Sequence, residues 1–291
     1  MTNTDPDKKG GQIEVSKVTK TYGKRSFAKT VVLDCSFVIE RNKLTVMIGP
    51  SGSGKSTMAR LLAGFEQPTT GSIMFNGQPV TKPSRERLVV FQETALYPWM
   101  TTYGNVAFGP TAQGRRGSSV KEAATAIIGQ VGLKQFQTAY PHELSGGMQR
   151  RAELARALVN SPAVMILDEP FRGLDAMTKG LMEEYYSRLF ETSGCTHFFI
   201  TTDIDEAIYL ADRLLIMSNA PLRVREVIDV DLPRPRRRAD VIADDCANDL
   251  KMKALAILHE EAIKSFALGD QKAADFVEAY SRRYSGSRGR P

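Results

Sequence analysis

Short apolar segments that end in polar or glycine-rich residues recur along most of the chain. The clearest are residues 44–48, 163–167 and 197–200. Buried parallel strands of an α/β sheet have this pattern, because both faces of each strand are covered while the loops at the carboxyl ends are exposed. The pattern therefore predicts a parallel sheet whose loops meet at one edge.

Further elements are predicted around this sheet. Strands are expected at residues 13–18, 31–39, 71–75, 88–91, 214–217 and 226–230. Helices are expected from Ser56 to about Leu62, over most of 93–161 with a loop at 109–119, at 250–266 and at 271–280. The predicted organisation is a disordered lead-in at 1–11, an α/β domain at 12–235 with a helical subdomain at about 93–161, and a helical extension at 236–291 with a basic end. The arginine run at 236–238 is expected to be a solvated turn.

The composition is that of an ordinary globular protein. The chain has 291 residues, of which 42% are hydrophobic and 25% charged, and its net charge of +6 suits anionic ligands without indicating nucleic acid. Cys35, Cys195 and Cys246 have no paired spacing, which favours a reducing compartment over a disulfide framework or a zinc site. No apolar stretch approaches the roughly 20 residues of a membrane helix, so we expect no signal peptide and no membrane span.

A glycine-rich loop follows the first buried strand and precedes a helix. It reads Gly49-Pro50-Ser51-Gly52-Ser53-Gly54-Lys55-Ser56. In this context backbone N–H groups and the positive end of the helix bind phosphate oxygens. Lys55 would contact the outer phosphates and Ser56 would ligate Mg²⁺. The expected ligands are ATP and Mg²⁺, and the expected binding residues are Gly49, Ser51, Gly52, Gly54, Lys55, Ser56 and Thr57.

Two carboxylates follow the strand at 163–167. Successive side chains of a strand point to opposite sides, so Asp168 and Glu169 can take different roles. Asp168 is expected to hold Mg²⁺ through water, and Glu169 is expected to act as general base on the attacking water. The alternative is a pair of helix-capping residues before Pro170.

A second small-residue loop precedes a helix at 148–158. The sequence Leu144-Ser145-Gly146-Gly147-Met148-Gln149 leaves backbone N–H groups and a hydroxyl free at a helix start, which makes a second anion site. Two such sites in one chain suggest a nucleotide held between two subunits, whereas an ordinary capped helix is the alternative.

With these motifs, residues 12–235 resemble the ATP-binding subunit of an ABC transporter. The resemblance implies that the signature loop of one subunit, formed by Ser145, Gly146, Gly147 and Gln149, closes on the nucleotide of the other. It also implies that Tyr22 stacks on adenine and that Asp175 belongs to a loop that crosses the dimer interface. Gln92 would sense Mg²⁺ and couple to the membrane subunits. Tyr22 as a surface tyrosine and Gln92 as a polar loop residue are the plainer alternatives.

Segments 96–101, 105–109 and 227–238 resemble the importers for nitrate, taurine and aliphatic sulfonates. They indicate lineage rather than ligand, because they do not touch the solute. The implied partners are transmembrane permease subunits, a second ATPase subunit and, indirectly, a solute-binding protein, at the cytoplasmic face of the inner membrane. Trp99, the only tryptophan, is a candidate contact for the membrane subunit. A tryptophan that packs between helices is the alternative.

The chain departs from the family at two places. Where the family usually has Thr-His-Asp, this chain has Thr201-Thr202-Asp203. Threonine cannot carry charge or share a proton near pH 7 as histidine does, and His197 is expected roughly 16 Å away along the strand. Arg172-Gly173 also stands where a small Gly-Ala pair is common.

Three hypotheses follow for Thr202, which the resemblance places beside Glu169, Lys55 and Gln92 in catalysis. Hydrolysis could be slower but real, the chain could pair with an unlike ATPase subunit, or it could bind ATP with little hydrolysis. The predicted function is to power import of a small anion with reduced turnover. A soluble ABC ATPase of DNA repair or translation and a non-hydrolysing regulator are the alternatives, and the extension from Ala239 is either a docked appendage or a partner-binding module.

Overall fold

The computed structural model describes residues 10–23 and 27–269. Its strands are β1 (Ile13–Tyr22), β2 (Lys29–Ile39), β3 (Leu44–Ile48), β4 (Thr70–Phe75), β5 (Gln78–Pro79), β6 (Arg87–Val90), β7 (Val164–Asp168), β8 (Thr196–Thr201), β9 (Arg213–Met217) and β10 (Val224–Asp229). Its helices are α1 (Lys55–Ala63), α2 (Thr102–Ala112), α3 (Ser118–Gln130), α4 (Gly146–Leu158), α5 (Ala176–Ser193), α6 (Ile204–Leu210), α7 (Arg238–Ala243) and α8 (Asp245–Gly269).

The larger sheet has the strand order β10-β9-β3-β8-β7-β6. Strands β9, β3, β8, β7 and β6 are parallel, and β10 is an antiparallel edge strand. Every residue of β3, β7 and β8 is buried, which explains why their sequences are mostly apolar. Because the strands are parallel, the loops that follow β3, β6, β7 and β8 all leave from the same edge.

The larger sheet is covered on both faces. Val46 and Ile48 pack with residues of α4, α5 and α6, whereas Met47 packs with Met58 of α1 and with residues of the smaller sheet. This alternation is the two-residue period of a strand. The smaller sheet is antiparallel, with the order β2-β1-β4-β5. The chain is therefore an α/β protein with a parallel sheet at its centre, as the apolar pattern predicts.

The helical subdomain consists of α2, α3 and α4, and the prediction of a loop at 109–119 is wrong in its first part. Helix α2 continues through Pro110 to Ala112. A Cβ atom at position 109 would lie 2.4 Å from Asn160 Oδ1, so Gly109 allows close packing rather than ending the helix. Pro110 is buried in this contact, and tertiary packing overrides the helix-breaking tendency of the Gly-Pro pair.

Helix α8, in the predicted C-terminal extension, packs directly on the α/β core. Ala247 and Ala254 of α8 belong to the same core cluster as Leu210 of α6 and Leu214 of β9. Helix α8 begins at Asp245, before the predicted start at 250. The helix predicted at 271–280 and the basic end lie outside the described residues, as do residues 1–9 of the lead-in.

The prediction of a solvated turn at 236–238 is wrong for Arg236, which is only 7% exposed. Its guanidinium donates hydrogen bonds to the carbonyl oxygens of Tyr209 (3.0 Å), Ala211 (2.7 Å) and Leu232 (3.0 Å). These carbonyls need donors because they are turned into the protein, and a buried arginine supplies several at once. Arg237, the next residue, is exposed. None of the helices in the described part of the chain combines the length and apolarity needed to cross a membrane.

Candidate active site

The glycine-rich loop lies between β3 and α1, as its sequence context predicts. Gly52 and Gly54 have φ angles of +75° and +115°, which favour glycine. A Cβ at Gly54 would lie 2.9 Å from Val31 Cγ1, whereas one at Gly52 would meet nothing within 4 Å. Helix α1 has neither a side-chain cap nor an acidic residue in its first turn. Its first N–H groups and its positive end are thus left for an anion.

Lys55 holds the loop from inside. Its side chain is 4% exposed, and its ammonium donates to the carbonyl oxygens of Gly49 (2.9 Å) and Pro50 (2.8 Å). The same nitrogen is 3.9 Å from Glu169 Oε1. Burial lowers the pKa of Lys55, while Glu169 and Asp168 oppose that effect. The cation therefore lies between the phosphate loop and the carboxylate that follows β7.

Asp168, the last residue of β7, is buried beside Ser56. Burial raises the pKa of Asp168, and the hydrogen bond with Ser56 opposes the rise. Its Oδ1 atom is buried without a hydrogen-bond partner. A hydroxyl and an unpartnered carboxylate oxygen are oxygen ligands of the kind that Mg²⁺ takes. These two residues therefore fit the predicted metal site.

Glu169 occupies an unusual backbone conformation. Its φ angle is +44°, in the left-handed region that costs a non-glycine residue about 1 kcal/mol or more. Its N–H donates to the carbonyl oxygen of Ile200 in β8 (3.0 Å), and this bond ties the turn after β7 to that strand. Its Oε2 atom is 3.1 Å from Arg172 Nη1, opposite the contact of Oε1 with Lys55. The carboxylate is therefore held between two cations.

Thr202 and Glu169 line one cavity of about 500 Å³, together with Arg172, Lys179 and Glu206. Thr202 is exposed, whereas the hydroxyl of Thr201 is buried and donates to Glu206. Burial raises the pKa of Glu206 to about 7. Lys179 binds Asp203 at 2.7 Å, just beyond Thr202. The cavity is thus lined by Glu169 on one side and by the segment after β8 on the other.

His197 lies away from this cavity, in the core. It pairs with Leu44 in the sheet, and its Nδ1 atom is 2.5 Å from the hydroxyl of Tyr186. Its Nε2 atom is 2.8 Å from Cys195 Sγ. Burial lowers the pKa of His197 to about 3, so the imidazole is neutral. It is packed as a core residue and does not reach the place that Thr202 occupies.

Tyr22 ends β1 beside the far end of α1. Its hydroxyl donates to Glu66 Oε2 at 2.5 Å, and the ammonium of Lys20 lies 5.0 Å from the ring centroid. Burial and the neighbouring Glu66 raise the pKa of Tyr22, while a hydrogen bond with Thr57 lowers it. The ring is 37% exposed. Tyr22 therefore lies along α1, between Thr57 and Glu66, and its role in binding adenine stays a prediction.

Gln92 follows β6 at the same sheet edge, and α4 holds its backbone. Arg150 donates to the carbonyl oxygens of Phe91 (2.8 Å) and Gln92 (2.6 Å). The N–H of Ala95 donates to Glu153 Oε1 at 2.5 Å. Arg150 and Glu153 belong to none of the motifs predicted from the sequence. Their spacing in the sequence indicates burial, because they lie on the same helical face as Leu154 and Ala157, on the inner side of α4.

The predicted signature residues and Asp175 lie at the starts of α4 and α5. The hydroxyl of Ser145 accepts from the N–H of Met148 at 3.4 Å, which caps α4. Gln149 differs from its neighbours, because its side-chain nitrogen donates within its own loop to the carbonyl oxygens of Pro141 (2.8 Å) and Leu144 (3.1 Å). Asp175 caps α5 by accepting from the N–H groups of Met177 and Thr178, and its bonds with Thr178 lower its pKa.

The predicted site residues fall into two groups: the phosphate loop with Asp168 and Glu169, and the signature residues. The phosphate loop, Asp168 and Glu169 are in mutual contact. Within the described chain, no hydrogen bond or ion pair joins the signature residues Ser145, Gly146, Gly147 and Gln149 to them.

Comparison with known proteins agrees with this geometry. Residues 32–172 match the family model described as ABC transporter. The chain is 38% identical to an aliphatic sulfonates import ATP-binding protein of Bacillus cereus, over 78% of this chain and 89% of that protein. It is also 38% identical to a bicarbonate transport ATP-binding protein of Synechococcus elongatus, over 84% of this chain and 89% of that protein.

A solved structure is similar over the same region. It is a dimeric, post-hydrolysis state of an ATP-binding cassette with bound ADP and phosphate, which is 26% identical and has a TM-score of 0.66. The similarity covers 76% of this chain and all of that one. The motifs, the fold and these relatives agree, and the chain belongs to the ATP-binding proteins of the ABC transporter family, in the branch that includes the aliphatic sulfonate importers.

Proposed function

We propose that this chain binds and hydrolyses ATP to power an importer for a small anion such as a sulfonate, nitrate or bicarbonate. The observation that carries the proposal is the position of Glu169, between Lys55 (3.9 Å) and Arg172 (3.1 Å) at the edge of the phosphate loop. The anion class is supported by the functions of the sulfonate and bicarbonate relatives and by the segments that resemble anion importers.

Different residues of the chain would bind the nucleotide, hold Mg²⁺ and accept the proton during hydrolysis. The backbone N–H groups of residues 51–56 and the ammonium of Lys55 bind the phosphates, and Tyr22 offers a partly exposed ring for the adenine. Ser56, Asp168 and Gln92 would hold Mg²⁺, which neutralises phosphate charge when bound. Glu169 accepts the proton of the attacking water. Thr202 offers one hydrogen bond without charge, so we expect turnover below that of a histidine-containing relative.

A second ATPase subunit completes the site in this proposal. Its Ser145, Gly146 and Gly147 would bind the outer phosphate, and its Asp175 loop would lie at the shared interface. The dimeric state of the similar cassette structure supports such an arrangement. ATP binding would close the two subunits, and hydrolysis with phosphate release would reopen them.

The permease would contact the groove beside Gln92. This groove has a volume of about 390 Å³ and is lined by Phe91, Tyr97, Phe108, Gly109 and Arg156, among others. Trp99 is 69% exposed and packs against Tyr97, with 5.5 Å between the ring centroids. An exposed aromatic beside an apolar groove is a suitable anchor for a partner helix. The chain would then lie at the cytoplasmic face of the membrane, and a solute-binding protein would act only through the permease.

The test is the steady-state release of phosphate from Mg-ATP by the purified chain. We expect a measurable rate that Glu169→Gln reduces at least about a hundredfold, because general-base catalysis contributes at least that factor. Glu122→Gln is the matched control, since it removes an exposed carboxylate of α3. A wild-type rate no higher than that of Glu169→Gln would contradict hydrolysis at this site.

A degenerate site in an unlike pair of subunits is the second candidate, and Thr202 favours it. In that case Thr202→His would raise a negligible wild-type rate, and the intact signature loop of this chain would serve the partner's site. A measurable wild-type rate that Thr202→His changes less than about threefold would instead support a working site that tolerates threonine.

A further inference from the structure

The two departures from the family pattern line the same cavity. Arg172 stands where a small residue is common, Thr202 stands where histidine is common, and both line the 500 Å³ cavity with Glu169. We propose that Arg172 is a positioning residue for Glu169 and supplies the positive charge that Thr202 cannot. The proposal rests on the proposed function, because it assumes that this site hydrolyses ATP.

The backbone places Arg172 for this role. Its N–H donates to the carbonyl oxygen of Glu169 at 3.2 Å, so residues 169–172 form one tight turn. Phe171, which is 1% exposed, fixes this turn in the core. Gly173 has a φ angle of +81° and lets the chain leave the turn towards α5. The side chain of Arg172 then has only to fold back over the turn to reach the carboxylate.

The contact orients one carboxylate oxygen and leaves the other available. Arg172 Nη1 is 3.1 Å from Glu169 Oε2, while Oε1 faces Lys55 at 3.9 Å. A guanidinium stays charged at every physiological pH but does not release its proton. Arg172 can therefore replace the charge of a histidine without replacing its proton transfer.

Stability does not account for this arginine. Its side chain is 56% exposed, and an ion pair with that exposure contributes about 0–1 kcal/mol to the free energy of unfolding. Replacing it should therefore leave the fold intact, which makes its effect on catalysis measurable.

Lys179 is the other cation of the cavity, and its charge is already balanced. Its ammonium is 2.7 Å from Asp203, 3.8 Å from Glu183 and 3.9 Å from Glu206. Three carboxylates surround it, and none of them is Glu169. Arg172 is therefore the cation of this cavity that acts on the candidate general base.

The experiment compares the ATPase kinetics of the wild type, Arg172→Ala, Arg172→Lys, Thr202→His and the double variant Arg172→Ala/Thr202→His. We expect Arg172→Ala to lower kcat about tenfold while KM for ATP changes less than about twofold, since the residue acts through Glu169. Arg172→Lys should keep an intermediate kcat. Thr202→His should raise kcat more in the Arg172→Ala background than in the wild type. The reason is that an arginine at position 172 and a histidine at position 202 would supply the same positive charge.

A second measurement separates positioning from nucleotide binding. Calorimetry gives the dissociation constant of ATP for the Glu169→Gln variant and for the double variant Glu169→Gln/Arg172→Ala. The two constants should agree within about twofold, because Arg172 acts on the carboxylate and not on the nucleotide. Arg115→Ala is the control, since it removes an exposed arginine from the loop after α2.

Several results would overturn the proposal. Arg172→Ala with a kcat at or above that of the wild type would mean that the contact restrains Glu169 instead of assisting it. Equal effects of Thr202→His in both backgrounds, or a tenfold loss of ATP affinity, would show that Arg172 has a different role. In each of these cases a wild-type rate above that of Glu169→Gln preserves the proposed function, whereas equal rates for those two proteins would overturn both.

Discussion

Arg150 and Glu153 form an ion pair inside the protein, with 2.6 Å between Nη1 and Oε2. Both side chains are almost fully buried, and burial lowers the pKa of Arg150 and raises that of Glu153. The pair also binds the backbone of Phe91, Gln92 and Ala95. The signature helix α4 and the segment after β6 are therefore joined by charged groups, and a displacement of one moves the other.

Breaking this pair from one side should destabilise the protein strongly. Arg150→Met leaves Glu153 buried without its cation and leaves two carbonyl oxygens without donors, and we expect a loss of about 3–5 kcal/mol in the free energy of unfolding. The double variant Arg150→Met/Glu153→Leu should recover part of that loss, because no unpaired charge remains. Urea denaturation of both variants measures the difference. Equal stability of the two variants would show that the charge is not what matters.

Arg236 and Arg237 provide a matched comparison of a buried and an exposed arginine. Arg236→Ala should lower the free energy of unfolding by about 2–4 kcal/mol, because the carbonyl oxygens of Tyr209, Ala211 and Leu232 lose their donor. Arg237→Ala should change it by less than about 0.5 kcal/mol. Thermal and urea unfolding of the two variants test this. A similar effect of both substitutions would contradict the bonding described for Arg236.

Glu206 should make stability depend on pH in a definite direction. Burial raises the pKa of Glu206 in the folded protein from 4.5 to about 7, although Thr201 and Lys179 oppose the rise. The folded state thus holds the proton more tightly than the unfolded state. The stabilisation is full below about pH 4.5 and is lost as the pH rises through about 7, by at most about 3 kcal/mol.

Glu206→Gln removes this titration while keeping an acceptor for the Thr201 hydroxyl. We therefore expect the variant to gain stability relative to the wild type as the pH is raised from 5 to 8, as measured by urea unfolding at each pH. Glu122→Gln, an exposed carboxylate, should show no such trend. A gain for Glu206→Gln at low pH instead would reverse the assigned sign.

Asp168→Asn should separate stability from metal binding. Burial raises the pKa of Asp168 although Ser56 and Lys55 oppose the rise, so without Mg²⁺ its ionised form at pH 7 weakens the fold. The variant should unfold at a higher temperature than the wild type without ligand, by the equivalent of about 1 kcal/mol. It should also gain less thermal stability from Mg-ATP, because Asn is a weaker ligand for Mg²⁺. Thermal unfolding with and without Mg-ATP tests both expectations.

The elements that the sequence predicts best are the ones buried on both faces. Strands β3, β7 and β8 have mostly apolar sequences, and the residues that follow them lie at one edge, as expected. The end of α2 was misplaced because Gly109 and Pro110 have the local signals of a turn, while the contact of Gly109 with Asn160 comes from a distant part of the chain. Propensity cannot contain that information.

The candidate site divides in the same way. Local spacing was sufficient for the phosphate loop, because a strand, a glycine loop and a helix are adjacent in sequence. The bonds of Arg150 to the segment after β6 join residues far apart in the chain. Arg236 likewise binds carbonyl oxygens at the end of α6, 27 and 25 residues earlier. Arg172 is recognisable in the sequence as a departure from the family pattern, but only the fold shows that it reaches Glu169.

The backbone conformation of Glu169 has a consequence for how this position can change over generations. At a φ angle of +44°, glycine or asparagine would suit the chain better than glutamate. Only a requirement for the carboxylate opposes such a replacement. In a descendant that no longer hydrolyses ATP, the requirement for the carboxylate would disappear. We then expect Glu169 to be among the first residues of the site to be substituted. A glutamate retained at position 169 therefore indicates that ATP hydrolysis has been maintained.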